Sequence, residues 1–175
     1  MVSVERFFAA AQQAGVRFFT GVPDSLLKDF CAYVTDHTEG AEHVIAANEG
    51  GAVALAAGHY LATGNPALVY LQNSGQGNAV NPLTSLADPD VFGIPMVLLV
   101  GWRGEPGKHD EPQHVKQGRV TLDLFAAIGV DALVLPDDEE PALACFADAL
   151  ERARRTSRPV GVVLRSGRFG KEKIQ

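Results

Sequence analysis

Six short apolar runs, at residues 16–20, 43–47, 67–71, 96–100, 132–135 and 160–164, alternate with helix-length segments along nearly the whole chain. Such alternation is the signature of a parallel sheet whose strands are joined by crossover helices. Most runs are rich in Val, Leu, Ile or Phe, as strands covered on both faces are. The intervening segments predict helices over 3–14, 24–35, 49–62, 78–86, 121–128 and 139–154. Asp24, following Pro23, is a candidate N-cap, as is Asp137 or Asp138 before the last helix. The expectation is a three-layer α/β/α domain with a six-stranded, mainly parallel sheet over residues 1–166. A polar, mobile tail is expected over 167–175.

At 175 residues the chain has room for one such domain. No apolar run reaches the roughly 18–20 residues of a membrane span. Glu5, Gln12 and Gln13 interrupt the first apolar stretch, so it lacks the core of a secretory signal, and a cytoplasmic protein is expected. Fifteen Lys plus Arg against 21 Asp plus Glu give a net charge of -6, which argues against nucleic acid or an anionic membrane as partner. Any anionic ligand must be held by a local cluster. Cys31 and Cys145 form no Cys-x-x-Cys and have no His at ligand spacing, so two buried free thiols are expected rather than a metal site.

Ligands of open parallel sheets bind beyond the carboxyl ends of the strands, where loops meet helix N-termini. The first four expected strands end in Gly21-Val22-Pro23-Asp24-Ser25, Asn48-Glu49-Gly50-Gly51, Gln72-Asn73-Ser74-Gly75-Gln76-Gly77-Asn78 and Gly101-Trp102-Arg103-Gly104-Glu105. All four are polar or glycine-rich. The last two end in Pro136-Asp137-Asp138 and Arg165-Ser166-Gly167, which read as ordinary caps and turns.

Glu49 stands between a buried strand and a helix of small residues, where little solvates it, so its carboxyl needs a partner or a proton. It could equally serve its helix N-terminus through the macrodipole. On that helix Gly50, Gly51, Ala54, Ala57, Gly58 and Leu61 recur at three- and four-residue spacing. Glycine inside a helix costs about 0.5–1 kcal/mol against Ala, so a close approach is expected, to the chain's own sheet, a second subunit or a cofactor. Gly75 and Gly77 allow the 73–78 loop to approach a ligand, although it is neither a Walker loop nor a dinucleotide fingerprint. Residues 101–119 read as one long loop, of the kind that is more often functional than idle. It carries Arg103, Lys108, Lys116 and Arg119 against Glu105, Asp110 and Glu111, with His109 and His114 besides, a positive island in an acidic protein.

Taken together, the four strand-end motifs and the later Asp110-Glu111-Pro112-Gln113-His114-Val115-Lys116-Gln117-Gly118-Arg119 run resemble the pyrimidine-binding domain of thiamine-diphosphate-dependent decarboxylases. The resemblance covers about residues 2–165. It implies that Glu49 hydrogen-bonds N1′ of the cofactor's aminopyrimidine and favours the tautomer that activates the thiazolium carbon. It implies cofactor contacts from Pro23, Asn73, Ser74, Gly75 and Asn78 as well. Asp24, Ser25 and Asn73 fall where relatives meet substrate. Asn73 replaces a histidine found in some relatives, and an amide cannot transfer protons as imidazole does. His114 is then the available imidazole near the substrate, and Arg103, Lys108 and Lys116 are candidates for its anionic group, with Arg103 favoured for its planar fork.

The resemblance further implies a 2-keto acid substrate, phosphonopyruvate giving phosphonoacetaldehyde and CO2, with the alpha subunit of a sulfopyruvate-cleaving enzyme as the alternative. Members hold the cofactor's diphosphate and Mg2+ through a Gly-Asp-Gly motif in a separate domain, and none occurs in these 175 residues. No metal ligand is therefore assigned to this chain, and a diphosphate-binding beta subunit in a hetero-oligomer is expected, with this chain as a natural alpha subunit. A rival of another class is a non-catalytic α/β module that binds an anion or regulates a partner.

Overall fold

The computed structural model describes residues 1–170; the end of the expected tail, 171–175, lies outside the described residues. The chain runs β1 (Val2–Ser3), α1 (Val4–Gln13), β2 (Phe19–Gly21), a 3-10 turn (Ser25–Leu27) and α2 (Lys28–His37). A second 3-10 turn (Gly40–Glu42) leads to β3 (His43–Ile45), α3 (Glu49–Thr63), β4 (Ala67–Gln72), a third turn (Asn73–Gly75) and α4 (Gln76–Ser85). Then come β5 (Met96–Gly101), α5 (Pro112–Ala127), β6 (Asp131–Val134), α6 (Glu139–Thr156), β7 (Pro159–Leu164) and β8 (Phe169–Gly170).

Six strands form one sheet in the order β3-β2-β4-β5-β7-β6, every pair parallel. The expected architecture is thus present, and no antiparallel strand enters this sheet. Side chains alternate along the central strands. Leu68, Tyr70, Val97, Leu99, Val160 and Val162 pack with α1, α2 and α6, whereas Val69, Leu71, Leu98 and Val100 pack with α3 and α4 and with Phe125 of α5. The interior strands β4, β5 and β7 are buried almost throughout, and β3 and β6 are the partly exposed edges. From β2 the chain goes outward to β3 and then returns to β4 on the other side, so the order of strand addition reverses beside β2. Crevices for ligands open at such reversals.

Three expectations are corrected. The 101–119 segment is not one long loop, because α5 begins at Pro112. Proline suits the first helical position, where its fixed φ is right and its missing N–H is not needed. The helix expected over 24–35 opens as a 3-10 turn, with Asp24 as its N-cap, before α2 begins at Lys28. The tail expected from 167 is paired at its start: Phe169 and Gly170 lie beside Val2 and Ser3, and Phe169 is buried against Phe7 and Phe30. Cys31 is buried and Cys145 half-buried, both free. Burial pushes the Cys31 thiol up to about 11, which leaves it inert near neutral pH. Among the described residues no helix is long and apolar enough to cross a membrane.

Candidate active site

Glu49 is the first residue of α3, placed there by Asn48, whose side chain caps the helix by accepting from Gly51 N–H at 2.8 Å. One carboxylate oxygen accepts from Asn78 Nδ2 at 2.7 Å. The other lies over Gly75, where a Cβ would stand only 2.1 Å from Oε1. Gly50 is tightly placed too, since a Cβ there would be 2.6 Å from the Asn78 carbonyl. The small residues thus let the start of α3 close on the 73–78 loop and pin the Glu49 side chain between Gly75 and Asn78. Further along α3, Ala52, Val53, Ala56 and Ala57 are buried on the sheet. Gly51, Ala54, Leu55 and Gly58 instead line a shallow outer depression with Phe18, Val44 and His59. The expected small-residue face is therefore split between two environments.

Asn73 departs from its expected role as a substrate or cofactor contact. It is fully buried, and its amide donates to the Arg103 carbonyl and to Thr121 Oγ1, both at 2.8 Å. Its side-chain oxygen accepts from Arg103 N–H at 3.0 Å. Gln117 Nε2 bonds the Asn73 carbonyl at 2.8 Å. The side chain points into the protein because the first turn of β5's loop and α5 both offer it partners. It fixes the Arg103 backbone instead of facing a ligand. Ser74 is exposed and accepts from Gln72 Nε2 at 2.5 Å; Pro23 and Ser25 are exposed as well.

Asp24 is also turned inward, at 5% exposure. Its Oδ2 accepts from Leu26 N–H at 3.2 Å and lies so near Gly101 that a Cβ there would be 2.0 Å away. Burial pushes its carboxyl above the ordinary range, against the opposing effect of the turn's N–H groups and Arg103. Its Oδ1 has no hydrogen-bond partner among the described residues.

Arg103 reaches across from β5's loop. It grips Asp110 with Nε and Nη2, at 2.9 and 2.5 Å, and donates through Nη1 to Ser25 Oγ at 3.2 Å. Gly104 and Glu111 N–H groups also donate to Asp110. The guanidinium holds the Asp110 carboxyl well below the usual carboxylate range, and the carboxylate in turn raises Arg103. Arg103 therefore spends three N–H groups within the protein, which leaves less of its fork free than the sequence implied.

A cavity of about 340 Å³ opens here, lined by Leu26, Trp102, Arg103, Glu105, Lys108, His109, Asp110 and Ser166. Arg103 and Lys108 are brought together in it. His114 and Lys116 are not; both ride on α5, outside the lining, because α5 starts early. The imidazole at the cavity is His109. Ser166 reaches it from the end of β7, and Arg165 bonds Glu105 at 2.9 Å, so the strand end that reads as an ordinary turn joins the site. Nothing in the local sequence of 165–166 signals this; only the adjacency of β5 and β7 in the sheet does.

Residues 1–127 match the family model described as thiamine pyrophosphate enzyme, N-terminal TPP binding domain. The chain belongs to this family. Its cofactor is accordingly thiamine diphosphate. The chain is 37% identical over 99% of its length to phosphonopyruvate decarboxylase of Streptomyces hygroscopicus, of which the match spans 42%. It is 32% identical to the sulfopyruvate decarboxylase subunit alpha of Methanothermobacter thermautotrophicus, covering 93% of this chain and 94% of that one. Among solved structures, a Rhodococcus jostii RHA1 thiamine diphosphate-dependent 4-hydroxybenzoylformate decarboxylase superposes with TM-score 0.73 and 23% identity, over 98% of this chain and 31% of that one. That likeness establishes the fold. The chain thus spans less than half the length of the phosphonopyruvate decarboxylases it matches.

The pinned Glu49 suits this family of TPP-binding domains. One oxygen is occupied by Asn78 and the carboxylate is half-buried at a helix start, with lone pairs left to accept from a ring N–H. Among the described residues no three His, Cys, Asp or Glu side chains gather as a metal-binding group.

Proposed function

We propose that this chain is the pyrimidine-binding half of a thiamine-diphosphate-dependent 2-keto acid decarboxylase, a carboxy-lyase completed by a second chain or domain. The observation that carries the reading is the Glu49 carboxylate fixed between Gly75 and Asn78 at the crevice end of the sheet. When bound, thiamine diphosphate supplies the carbon nucleophile and the electron sink that 2-keto acid decarboxylation needs. Glu49 would accept a hydrogen bond from the protonated N1′ of the pyrimidine and so keep that proton on the ring, and Asn78 keeps the carboxylate aimed. Ser25, exposed beside Arg103, offers a hydroxyl to the substrate. Asn73 orders the Arg103 backbone from beneath, and Lys108 on the 102–111 loop presents positive charge to the substrate's anionic end. The diphosphate and Mg2+ are held by the partner, in a cytoplasmic hetero-oligomer.

The substrate we favour is phosphonopyruvate, on the 37% identity to the Streptomyces hygroscopicus enzyme. Sulfopyruvate is the second reading, favoured by the match along 94% of a sulfopyruvate decarboxylase alpha subunit. The test combines the chain with its diphosphate-binding partner, cofactor and Mg2+ and measures aldehyde release from each keto acid. Release that depends on cofactor, with Glu49→Gln slower by at least about 10²-fold, is expected. Glu49→Gln within threefold of wild type would take Glu49 out of the mechanism, and no release at all from the assembled protein would leave the non-catalytic, anion-binding module standing.

A further inference from the structure

The charges lining the 340 Å³ cavity do not cancel evenly. It holds two carboxylates, Glu105 and Asp110, and each is already matched by an arginine. Arg165 pairs with Glu105 at 2.9 Å and Arg103 with Asp110 at 2.5 Å. Among the described residues Lys108 makes no ion pair, so it is the cation of the lining whose charge is not spent inside the protein. His109 stands next to it. Both are exposed to whatever enters.

Lys108 is also held in place by its backbone. Its N–H donates to the Glu105 carbonyl at 3.0 Å, and Gly107 between them has φ +84°. With Pro106 at the second position and Gly107 at the third, residues 105–108 have the sequence and bonding of a type II turn, which needs glycine at that left-handed position. Both ends of the turn are tethered: Glu105 to Arg165 on β7's loop, and Asp110, just beyond Lys108, to Arg103 on β5's loop. Trp102 forms the apolar wall and is itself fixed by its Nε1 donating to the Gly118 carbonyl at 2.9 Å. A rigid turn thus presents one uncompensated ammonium to a cavity whose other charges are balanced.

We propose that Lys108 is the specificity-determining residue that makes this cavity prefer a tetrahedral dianion over a monoanion of the same shape. This rests on the decarboxylase reading for the identity of the substrate, and it moves the charge-reading role from Arg103, which is committed to Asp110 and Ser25, to Lys108. A phosphonate near neutral pH carries a second negative charge that a sulfonate lacks. With the carboxylates already neutralised, that second charge meets Lys108 without competition.

The test compares wild type, Lys108→Met and Lys108→Arg in the assembled, cofactor-loaded protein. The readout is the ratio of kcat/KM for phosphonopyruvate to that for sulfopyruvate. Lys108→Met is expected to lower this ratio at least about tenfold, the scale of one lost charge-assisted contact. Lys108→Arg, which keeps the charge, should hold it within about threefold. Equal losses on both substrates would overturn the proposal, since they would mean a general packing role. Titration of the full chain with methylphosphonate and with methanesulfonate, followed by NMR, needs no turnover. Methylphosphonate should bind wild type at least about tenfold more tightly than Lys108→Met; equal binding, or none by wild type, overturns the proposal. If the wild-type assembly releases no aldehyde from any keto acid, the decarboxylase reading falls, and the methylphosphonate titration still decides the role of Lys108.

Discussion

Gly75→Ala is the substitution that most directly probes how Glu49 is held. The backbone at Gly75 has φ -84°, which alanine adopts freely, so no strain arises in the main chain. The conflict is with one side chain. The new Cβ would stand 2.1 Å from Glu49 Oε1, 2.2 Å from Cδ and 2.5 Å from Cγ. Non-bonded contacts of this kind settle near 3.5–4.0 Å, so the carboxyl must retreat by more than about 1 Å. Glu49 is half-buried and can rotate outward, so the stability cost should stay near about 1 kcal/mol, at the low end for overpacking. Its bond to Asn78 and its aim would nevertheless be lost, and in the proposed role of Glu49 a misplacement of about 1 Å costs on the order of 10²-fold. We therefore expect a Tm within a few degrees of wild type and turnover of the assembled enzyme reduced about 10²-fold. Full turnover with an unshifted Tm would refute the account, because it would show that the carboxylate's position over Gly75 is irrelevant to the chemistry.

Asn73→Ala should act on stability, since it strips partners from the Arg103 N–H and carbonyl and from Thr121 in a fully buried place. About 2–4 kcal/mol of destabilisation is expected, seen as a Tm fall of roughly 5–15 °C; a Tm unchanged would mean Asn73 is not the buried strut described. The Arg103–Asp110 pair predicts a pH signature. Asp110 titrates lower in the folded chain than in the unfolded one, so its stabilisation is full above about pH 4 and is lost as pH falls through the folded value. Asp110→Asn should lower the urea midpoint near neutral pH and converge on wild type in acid. A gap that stays constant down to about pH 2 would contradict the pairing.

Much of the fold was legible in the order of residues because strand burial leaves a local trace. The runs at 67–71, 96–100 and 160–164 are continuous apolar stretches, as strands covered by helices on both sides must be, and β4, β5 and β7 lie there. Glu49 was legible too, as a carboxylate at the start of a helix too small-sided to solvate it. Less was readable in the 101–119 segment. Its irregular pattern reads as a loop, with the helix start marked only by Glu111-Pro112, so the sequence places His114 and Lys116 at a site from which α5 removes them.

What the chain's own residue order determined was a set of local quantities: which segments are apolar, where glycine permits close approach, and which strand ends carry polar groups. Only the packed structure decided which of those groups face outward. Asn73 and Asp24 stand in motifs that the sequence marks as ligand-facing, yet each finds its partners or its burial inward, because β5's loop and Gly101 lie against them. Arg165 and Ser166 reach the cavity because β7 pairs with β5, two strands separated by α5, β6 and α6 along the chain. The physical reason is that hydrophobic patterning acts between near neighbours in sequence, whereas a site is made by strand order, which brings distant residues side by side.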